Sequence, residues 1–525
     1  MSELVPLHNE PKKPAGAFVD AATLADGATL EADVVVIGSG AGGAVVACEL
    51  QRAGFDVIVL EEGGHHTRAD FKMREDINYP MLYQESGARA TKDLGMTILQ
   101  GRAVGGSTVV NWTTSFRTPP RVYEHWKKAH AVGEISIADL SPHWDAVEER
   151  LHVEKVPYEQ TNRNNRVLFD GATALGLQVD TTRRNVKRCM QSGYCGMGCP
   201  VDAKQSMLVT YLPDAVERGA RVVSRCRVDK LVVAGGSVGK AECSVIGDDG
   251  YNTSGKRVTV RARRFVLAAG GIGSPSILIR SGLGGGMVGR RTFLHPVHGV
   301  FAHYKDPIEP YYGAPQSVAS HAHAERGDDP GLFYEAAPMH PMLAAVATAG
   351  FGAVHRQLME KLPYVAAHIA LAIDGFHPSE EGGTVTVRPS GAPLLDYQTP
   401  LRIRQALREG VKWLAKINFA AGAEEVGFGE FPMLMLRSDR DLSLFDHYDM
   451  GKQPLFSAHV MGGCKMGDDP KSSVVRSKDL RHHTVENLHI VDGSVFPTSL
   501  GVNPQESIYG LARLVASRLV QSWKA

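Results

Sequence analysis

Hydrophobic patterning is sharpest between Asp33 and Glu61, where Val34 to Ile37 form an unbroken β-branched run that predicts a strand. The glycine cluster Gly38-Ser39-Gly40-Ala41-Gly42-Gly43 follows directly. A helical pattern then extends from Ala44 to Ala53 and stops at Gly54, and a second strand, Val57 to Leu60, ends on Glu61. Further on, VYEHWKKAH and SPHWDAVEERLHVE predict helices within residues 121–180, and RVVSRCRVDKLVVA, ECSVIGDD and RVTVRARRFVLAAG predict strands between 221 and 269. The stretch FVLAAG has the apolar continuity of a central parallel strand buried on both faces, and a helix with Pro275 in its first turn follows it. Residues 341–354 are nearly uncharged, a length suited to a buried core helix or an interfacial segment rather than a span. They read either as plain core or as the wall of an apolar pocket or a membrane-facing entrance. TVTVRPSGAPLLDY predicts strand and turn, PLRIRQALREGVKWLAKINFAAGA one amphipathic helix, LHIVDGS a strand ending in Asp-Gly, and ESIYGLARLVASRLV a final helix.

Strand, glycine turn, helix, strand and acid in that order make the dinucleotide fingerprint. Gly38 allows the tight turn, Gly40 lets the backbone approach a pyrophosphate, and Gly43 lets the helix lie close to the strand. The helix N-terminus offers free N–H groups to phosphates, and Glu61 is placed to accept from a ribose hydroxyl. A nucleotide-free doubly wound sheet is the bland alternative. The flanking elements, more than the glycines, weigh against it.

At 525 residues the chain is long enough for more than one domain. Lysine plus arginine equals aspartate plus glutamate at 57 each, so no strong field favours nucleic acid. The first residues contain no apolar h-region and no twin arginine, which points to a cytoplasmic protein with residues 1–30 as an arm. Seven cysteines, an odd number, disfavour a disulfide framework.

A second glycine cluster runs from Gly101 through Gly105 and Gly106 to Asn111 and Trp112. It lies too far from the first for one βαβ turn, so either two ligands bind or one long ligand, such as FAD, is gripped twice. Cys189, Cys195 and Cys199 crowd into a short glycine-rich segment. A structural zinc needs four ligands and no histidine lies close by; a three-iron cluster needs only three thiolates. Spacing alone favours inert buried thiols, with no metal. The C-terminal segment concentrates His459, Asp492, Gly493, Asn503 and Pro504.

Taken in order, GSGAGG, GRAVGGSTVVNW, AAGGIGSPSILIRSGLG, HVMGGCKMG and LHIVDGSVFPTSLGVNPQESIYGLA resemble the glucose–methanol–choline (GMC) family of flavoprotein oxidoreductases. The resemblance implies an α/β, Rossmann-like FAD-binding domain with an α+β substrate domain on a mostly antiparallel sheet. The FAD domain is expected from residues 31–120, 200–300 and 455–525, a helical and cysteine-containing connection at 121–199, and the substrate domain at 301–454. The resemblance also assigns Gly38, Gly40, Ala41 and Gly43 to the pyrophosphate and Glu61 to the adenosine ribose. Arg102, Gly105, Gly106 and Ser107 follow the pyrophosphate towards the flavin, with Asn111 and Trp112 near the isoalloxazine. Val228 meets adenine, and Ala269, Asp492, Gly493, Asn503 and Pro504 complete the cofactor contacts. Some relatives attach FAD through a histidine at the place of Val110, so noncovalent FAD is expected.

The same resemblance makes His459 and Asn503 the catalytic pair. Alcohol oxidation removes a proton from oxygen and a hydride from carbon, so it needs a base at the hydroxyl and an acceptor facing the C–H bond. GYCGMGCPVDAKQSMLVTYLPDA is similar to the matching segment of long-chain fatty alcohol oxidases, which implies an apolar alcohol, O2 as acceptor and H2O2 as product. Peripheral membrane contact fits such a substrate. The cysteine spacing also resembles dehydrogenase subunits that relay electrons through an iron–sulfur cluster to a partner, and a redox-inactive FAD lyase or binding protein is a further alternative.

Overall fold

The computed structural model describes residues 16–348, 350–428 and 434–525. An eight-stranded sheet forms the nucleotide-binding half, and its strand order is Ala17–Asp20, Arg221–Ser224, Val57–Leu60, Ala28–Ile37, Thr253–Leu267, Ser237–Ile246 and Cys226–Ala234. The strand Thr253–Leu267 is the spine. One edge runs parallel to Ala28–Ile37 along most of its length. The other edge serves two neighbours in turn, Ser237–Ile246 antiparallel over its first half and Leu488–Ile490 parallel at Phe265–Leu267. Val34–Val36, Val57–Val59 and Phe265–Leu267 are fully buried, as their apolar continuity requires.

Residues 1–15 lie outside the described residues, and residues 16–30 do not form the expected arm. Ala17–Asp20 is an edge strand parallel to Arg221–Ser224, and Ala28 already opens the next strand. The acidic and polar residues between them satisfy turns: the Asp20 carboxylate accepts from Ala22 N–H at 2.9 Å and holds Arg225.

The second half is a nine-stranded sheet built on Val297–His303, Val365–Ala372, Leu332–Ala336 and Val318–His323, all antiparallel. A boundary at residue 300 therefore falls inside a strand. Leu455–Ser457 and Met96–Ile98 also pair here rather than with the nucleotide sheet. The helix Leu401–Ala420 backs this sheet with Ile403, Leu407, Val411, Leu414 and Ile417, the period of an amphipathic helix. The helices Pro120–His130, Ile137–Leu151 and Arg163–Ala174 connect the halves as their spacing predicts.

The described part of the uncharged run at 341–354 is largely exposed, which excludes the core and pocket-wall readings. It forms parts of two short helices, Pro341–Ala347 and Gly352–Glu360, and Ala349 lies outside the described residues. Ala344 is buried, whereas Val346 is 79% and Phe351 78% exposed, so the run is neither core nor pocket wall. Lack of charge predicts a covered face only where a partner element exists to cover it. Among the described residues no helix is long and apolar enough to cross a membrane.

Helix Arg163–Ala174 crosses helix Leu401–Ala420 at Gly171, where a Cβ would lie 2.0 Å from the Ile417 carbonyl oxygen. Gly171→Ala is expected to cost about 1–3 kcal/mol by forcing the helices apart. A lowered denaturation midpoint, with the site residues untouched, checks this.

Candidate active site

Between the two sheets lies a cavity of about 890 Å³ that reaches from Val228, Ser244 and Arg257 to His459 and Asn503. Its floor is the two glycine loops, clamped together by Ser39, whose hydroxyl donates to Glu61 Oε2 at 2.6 Å and accepts from Gly105 N–H at 2.9 Å. Glu61 also accepts from the N–H groups of Ser39 and Gly63, so the carboxylate is aimed, and burial pushes its pKa up. Asp492 is held likewise, accepting from Gly270 N–H at 2.8 Å, Ser274 Oγ at 2.5 Å and Ser494 N–H at 2.8 Å.

The glycines divide into two kinds. A Cβ on Gly38 would stand 2.3 Å from the Ala268 oxygen, on Gly42 1.8 Å from the Val491 oxygen and on Gly43 2.0 Å from the Gly38 oxygen, so packing alone excludes a side chain. A Cβ on Gly40 would meet only Gly106 Cα, at 3.8 Å. Gly40 has no need to be glycine for the fold, and the space it leaves opens on the cavity. A cradle of this shape at a helix N-terminus fits the pyrophosphate of a dinucleotide.

Of the residues assigned from sequence, Gly38, Gly40, Ala41, Glu61, Arg102, Gly106, Ser107, Asn111, Trp112, Val228, Ala269, Asp492, Gly493, Asn503, Pro504 and His459 all line the cavity. Gly43 and Gly105 do not. Gly43 is turned onto the Gly38 carbonyl, and a Cβ on Gly105 would point at Val109 and Leu208. Arg102 lines the cavity but is engaged elsewhere, with Glu62, the Gly250 carbonyl and the Tyr251 ring.

At the far end His459 Nε2 and Asn503 Nδ2 lie 3.4 Å apart, brought together across 44 residues. His459 opens on the cavity, yet the protein around it desolvates the ring and pulls its pKa down to about 4. Sequence reasoning missed its partner: His295 Nδ1 lies 3.1 Å from His459 Nδ1, and Gly501 N–H donates to His295 Nε2 at 3.0 Å. His295 adopts φ +45°, a left-handed backbone held by Asp374, which accepts from the N–H groups of both Leu294 and His295 at 3.1 Å. Burial raises the Asp374 pKa to about 6. A histidine before proline at the end of a strand carries no local signal of such a role.

Asn111 and Trp112 rest on the cysteine segment. Lys204, buried, donates to the carbonyls of Val109 at 2.7 Å, Asn111 at 2.6 Å and Cys195 at 2.8 Å. Burial draws its pKa down to about 7, while three carbonyl acceptors suit an ammonium with three N–H groups. Arg184 donates to Trp112 O at 3.2 Å and to Cys195 Sγ at 3.4 Å. Among the described residues no three His, Cys, Asp or Glu side chains converge as metal ligands. The segment is a platform beneath the cavity wall.

Gly40→Ala is expected to leave the melting temperature of the ligand-free protein within what about 0.5 kcal/mol produces. Dinucleotide affinity should fall about 10- to 100-fold, measured by flavin titration, because the new methyl occupies the cradle.

Two family models described as GMC oxidoreductase match residues 79–297 and 378–512, and an NAD(P)-binding Rossmann-like domain model matches residues 36–82. A GMC-type oxidoreductase of Mycobacterium tuberculosis is 33% identical over 496 residues, covering 93% of this chain and 76% of that protein. A long-chain-alcohol oxidase of Arabidopsis thaliana is 29% identical over 517 residues, covering 94% and 68%. Among solved structures, a pyridoxine 4-oxidase shares the fold with TM-score 0.69 at 18% identity, covering 93% of this chain and 98% of that one. An Aspergillus oryzae formate oxidase does so with TM-score 0.68 at 15% identity, covering 95% and 100%. With a cradle, a cavity and a domain order that agree with these matches, the chain belongs to the GMC oxidoreductase family and is an FAD-dependent oxidoreductase acting on alcohols.

Proposed function

We propose that the chain oxidises apolar, long-chain or bulky alcohols to the aldehyde or ketone, His459 taking the hydroxyl proton and Asn503 holding the oxygen. One observation carries this reading: the end of the cavity that holds His459 and Asn503 is also walled by Val297, Ile369, Leu371 and Phe456 of the antiparallel sheet. The likeness to long-chain-alcohol oxidases supports the substrate class. FAD would be held by Gly40, Gly106, Glu61 and Asp492, and supplies the two-electron acceptor for the carbinol hydride, which we take to be returned to O2 as H2O2. With Val110 in place of a linking histidine, FAD is held noncovalently and should pass into the supernatant when the protein is precipitated with acid.

His459 is uncharged near neutral pH because burial disfavours its cation, and an uncharged imidazole has the lone pair a base needs. Its Nδ1 takes the bond from His295 Nδ1–H, because Gly501 N–H already occupies His295 Nε2, and its backbone N–H is held by Ser457; Nε2 faces the cavity beside Asn503 and gains its lone pair when the ring proton moves to Nδ1 as the His295 bond gives way. Apolar walls shed water and pick out the alkyl chain, while the two polar groups orient the hydroxyl. Peripheral contact with a bilayer belongs to the same reading, supported by the exposed Val346, Phe351 and Val354.

His459→Ala should retain FAD and lose about 10²–10⁴-fold in kcat/KM. For the intact enzyme kcat/KM should show no inflection between about pH 5.5 and 7.5, since a base whose pKa is lowered to about 4 is already proton-free there. A drop centred near 6.5 would mean a solvated imidazole. Across a series of primary alcohols kcat/KM should climb about fourfold per added CH2 until the apolar wall is filled; indifference to chain length would remove the substrate assignment.

A further inference from the structure

The end of the cavity away from His459 is walled by Ser390, Gly391, Ala392 and Pro393, at the tip of the hairpin formed by the strands Gly383–Val387 and Pro393–Asp396. The stem of this hairpin is fixed, because Val385 N–H donates to Gly289 O at 2.7 Å and Lys92 N–H to Leu395 O at 2.8 Å. Its turn is not. Arg388, Pro389, Ser390 and Ala392 are exposed, and the backbone bonds of the turn close on itself, Gly391 N–H to Arg388 O and Arg388 N–H to Ala392 O, both at 2.8 Å. Among the described residues a single hydrogen bond reaches the turn from outside the hairpin: Arg280 Nη1 donates to Gly391 O at 3.1 Å.

Arg280 ends the helix Gly270–Arg280 and itself lines the cavity. Its Nε donates to Asp229 O at 2.6 Å and its Nη2 to Val228 O at 3.2 Å. In a regular strand successive carbonyls point to opposite edges, so one side chain does not reach both. Here the register slips: Glu242 pairs with Lys230 and Cys243 with Val228, which leaves Asp229 as the extra residue of a β-bulge. The bulge turns both carbonyls to the same arginine. The Asp229 carboxylate is engaged elsewhere, by Arg257 at 2.7 Å and Arg227 at 3.2 Å, and Arg280 makes no ion pair among the described residues. Its planar fork is spent on three backbone carbonyls, two from the strand and one from the turn, a set of directions that the single ammonium of a lysine does not match.

We infer that Arg280 is the clasp that holds the 388–392 turn against the bulged strand and so retains FAD by keeping the adenylate end of the cavity shut. The inference rests on the reading that the adenylate lies beside Val228 and the flavin towards His459. Arg280 acts through the turn, since its Nε and both Nη atoms go to protein carbonyls.

The test uses the full-length chain as Arg280→Met, as a shortened hairpin in which residues 388–392 are replaced by the two-residue turn Asn-Gly, and as the combination of both. Three quantities are read: the rate at which the FAD-loaded protein releases FAD on dilution, hydrogen exchange of the 388–392 amides, and the dissociation constant of riboflavin, which has no adenylate, for the FAD-free chain. Arg280→Met should release FAD about 10- to 100-fold faster, the loss of a hydrogen bond from a charged donor, and should speed exchange in the turn. Riboflavin should stay within about threefold of the parent, which also shows that the variant is folded. The shortened hairpin should release FAD as fast with Arg280 in place, and adding Arg280→Met to it should change nothing further. Release unchanged in Arg280→Met overturns the inference, as does an Arg280→Met effect that persists undiminished in the shortened hairpin, which would make Arg280 a direct ligand of the cofactor. Riboflavin weakened as much as FAD removes instead the orientation beneath it.

Discussion

Three residues at the end of one strand hold this molecule's chemistry together. Phe265, Val266 and Leu267 pair with Val35–Ile37 on one edge and with Leu488–Ile490 on the other, all parallel. Just past that ladder Ala268 N–H donates to Ile37 O at 2.7 Å and Val491 N–H to Leu267 O at 2.8 Å. Parallel strands deliver their following loops to the same edge of a sheet. The glycine turn at 38–43, the turn at Ala269–Gly270 and the Asp492–Gly493 turn therefore meet at one place, although more than 400 residues separate the first from the last. The packing is close enough that Gly38, Gly42 and Gly43 each face a backbone oxygen where a Cβ would stand.

The active end depends on the second sheet arriving against the first. Leu455–Ser457 pairs with that sheet, and just past His459 the strand Met461–Gly462 pairs with Arg290–Phe293 in a separate four-stranded sheet. His459 thus sits on the short span between two sheets, with Asn503 reaching it from just ahead of the last helix. The histidines here are neutral by burial rather than by pairing: His295, His298, His321 and His459 all have lowered pKa values, and burial raises that of Glu335 to about 8. An apolar alcohol entering such a site meets donors and acceptors whose charges have already been suppressed, so little solvation is lost when water leaves.

The cysteine segment illustrates how a motif read by spacing acquires its meaning from what it supports. Its backbone ties it into the cavity wall, with the Cys195 carbonyl on Lys204 and the Gly196 carbonyl on Tyr83 Oη. Two buried cations, Lys204 and Arg184, tie that backbone to Asn111 and Trp112. An ammonium satisfied by three carbonyls is a rigid three-way joint, which a residue with fewer donors cannot replace.

What the sequence by itself determined is whatever depends on near neighbours: the strand–glycine–helix unit at 34–53, the acid at Glu61, the amphipathic helix at 401–420, and the ordered motifs that name the family. Backbone freedom at glycine and the period of apolar residues are local properties, and both survive in a one-dimensional reading. Only the tertiary structure decided that residues 17–20 join the sheet as an edge strand, that the uncharged run at 341–354 is left exposed, and that His295 and Asp374 stand behind the His459–Asn503 pair. Each of those facts turns on which distant segment covers a face or completes a hydrogen bond, and burial of that kind is a property of the assembled chain, not of any window along it.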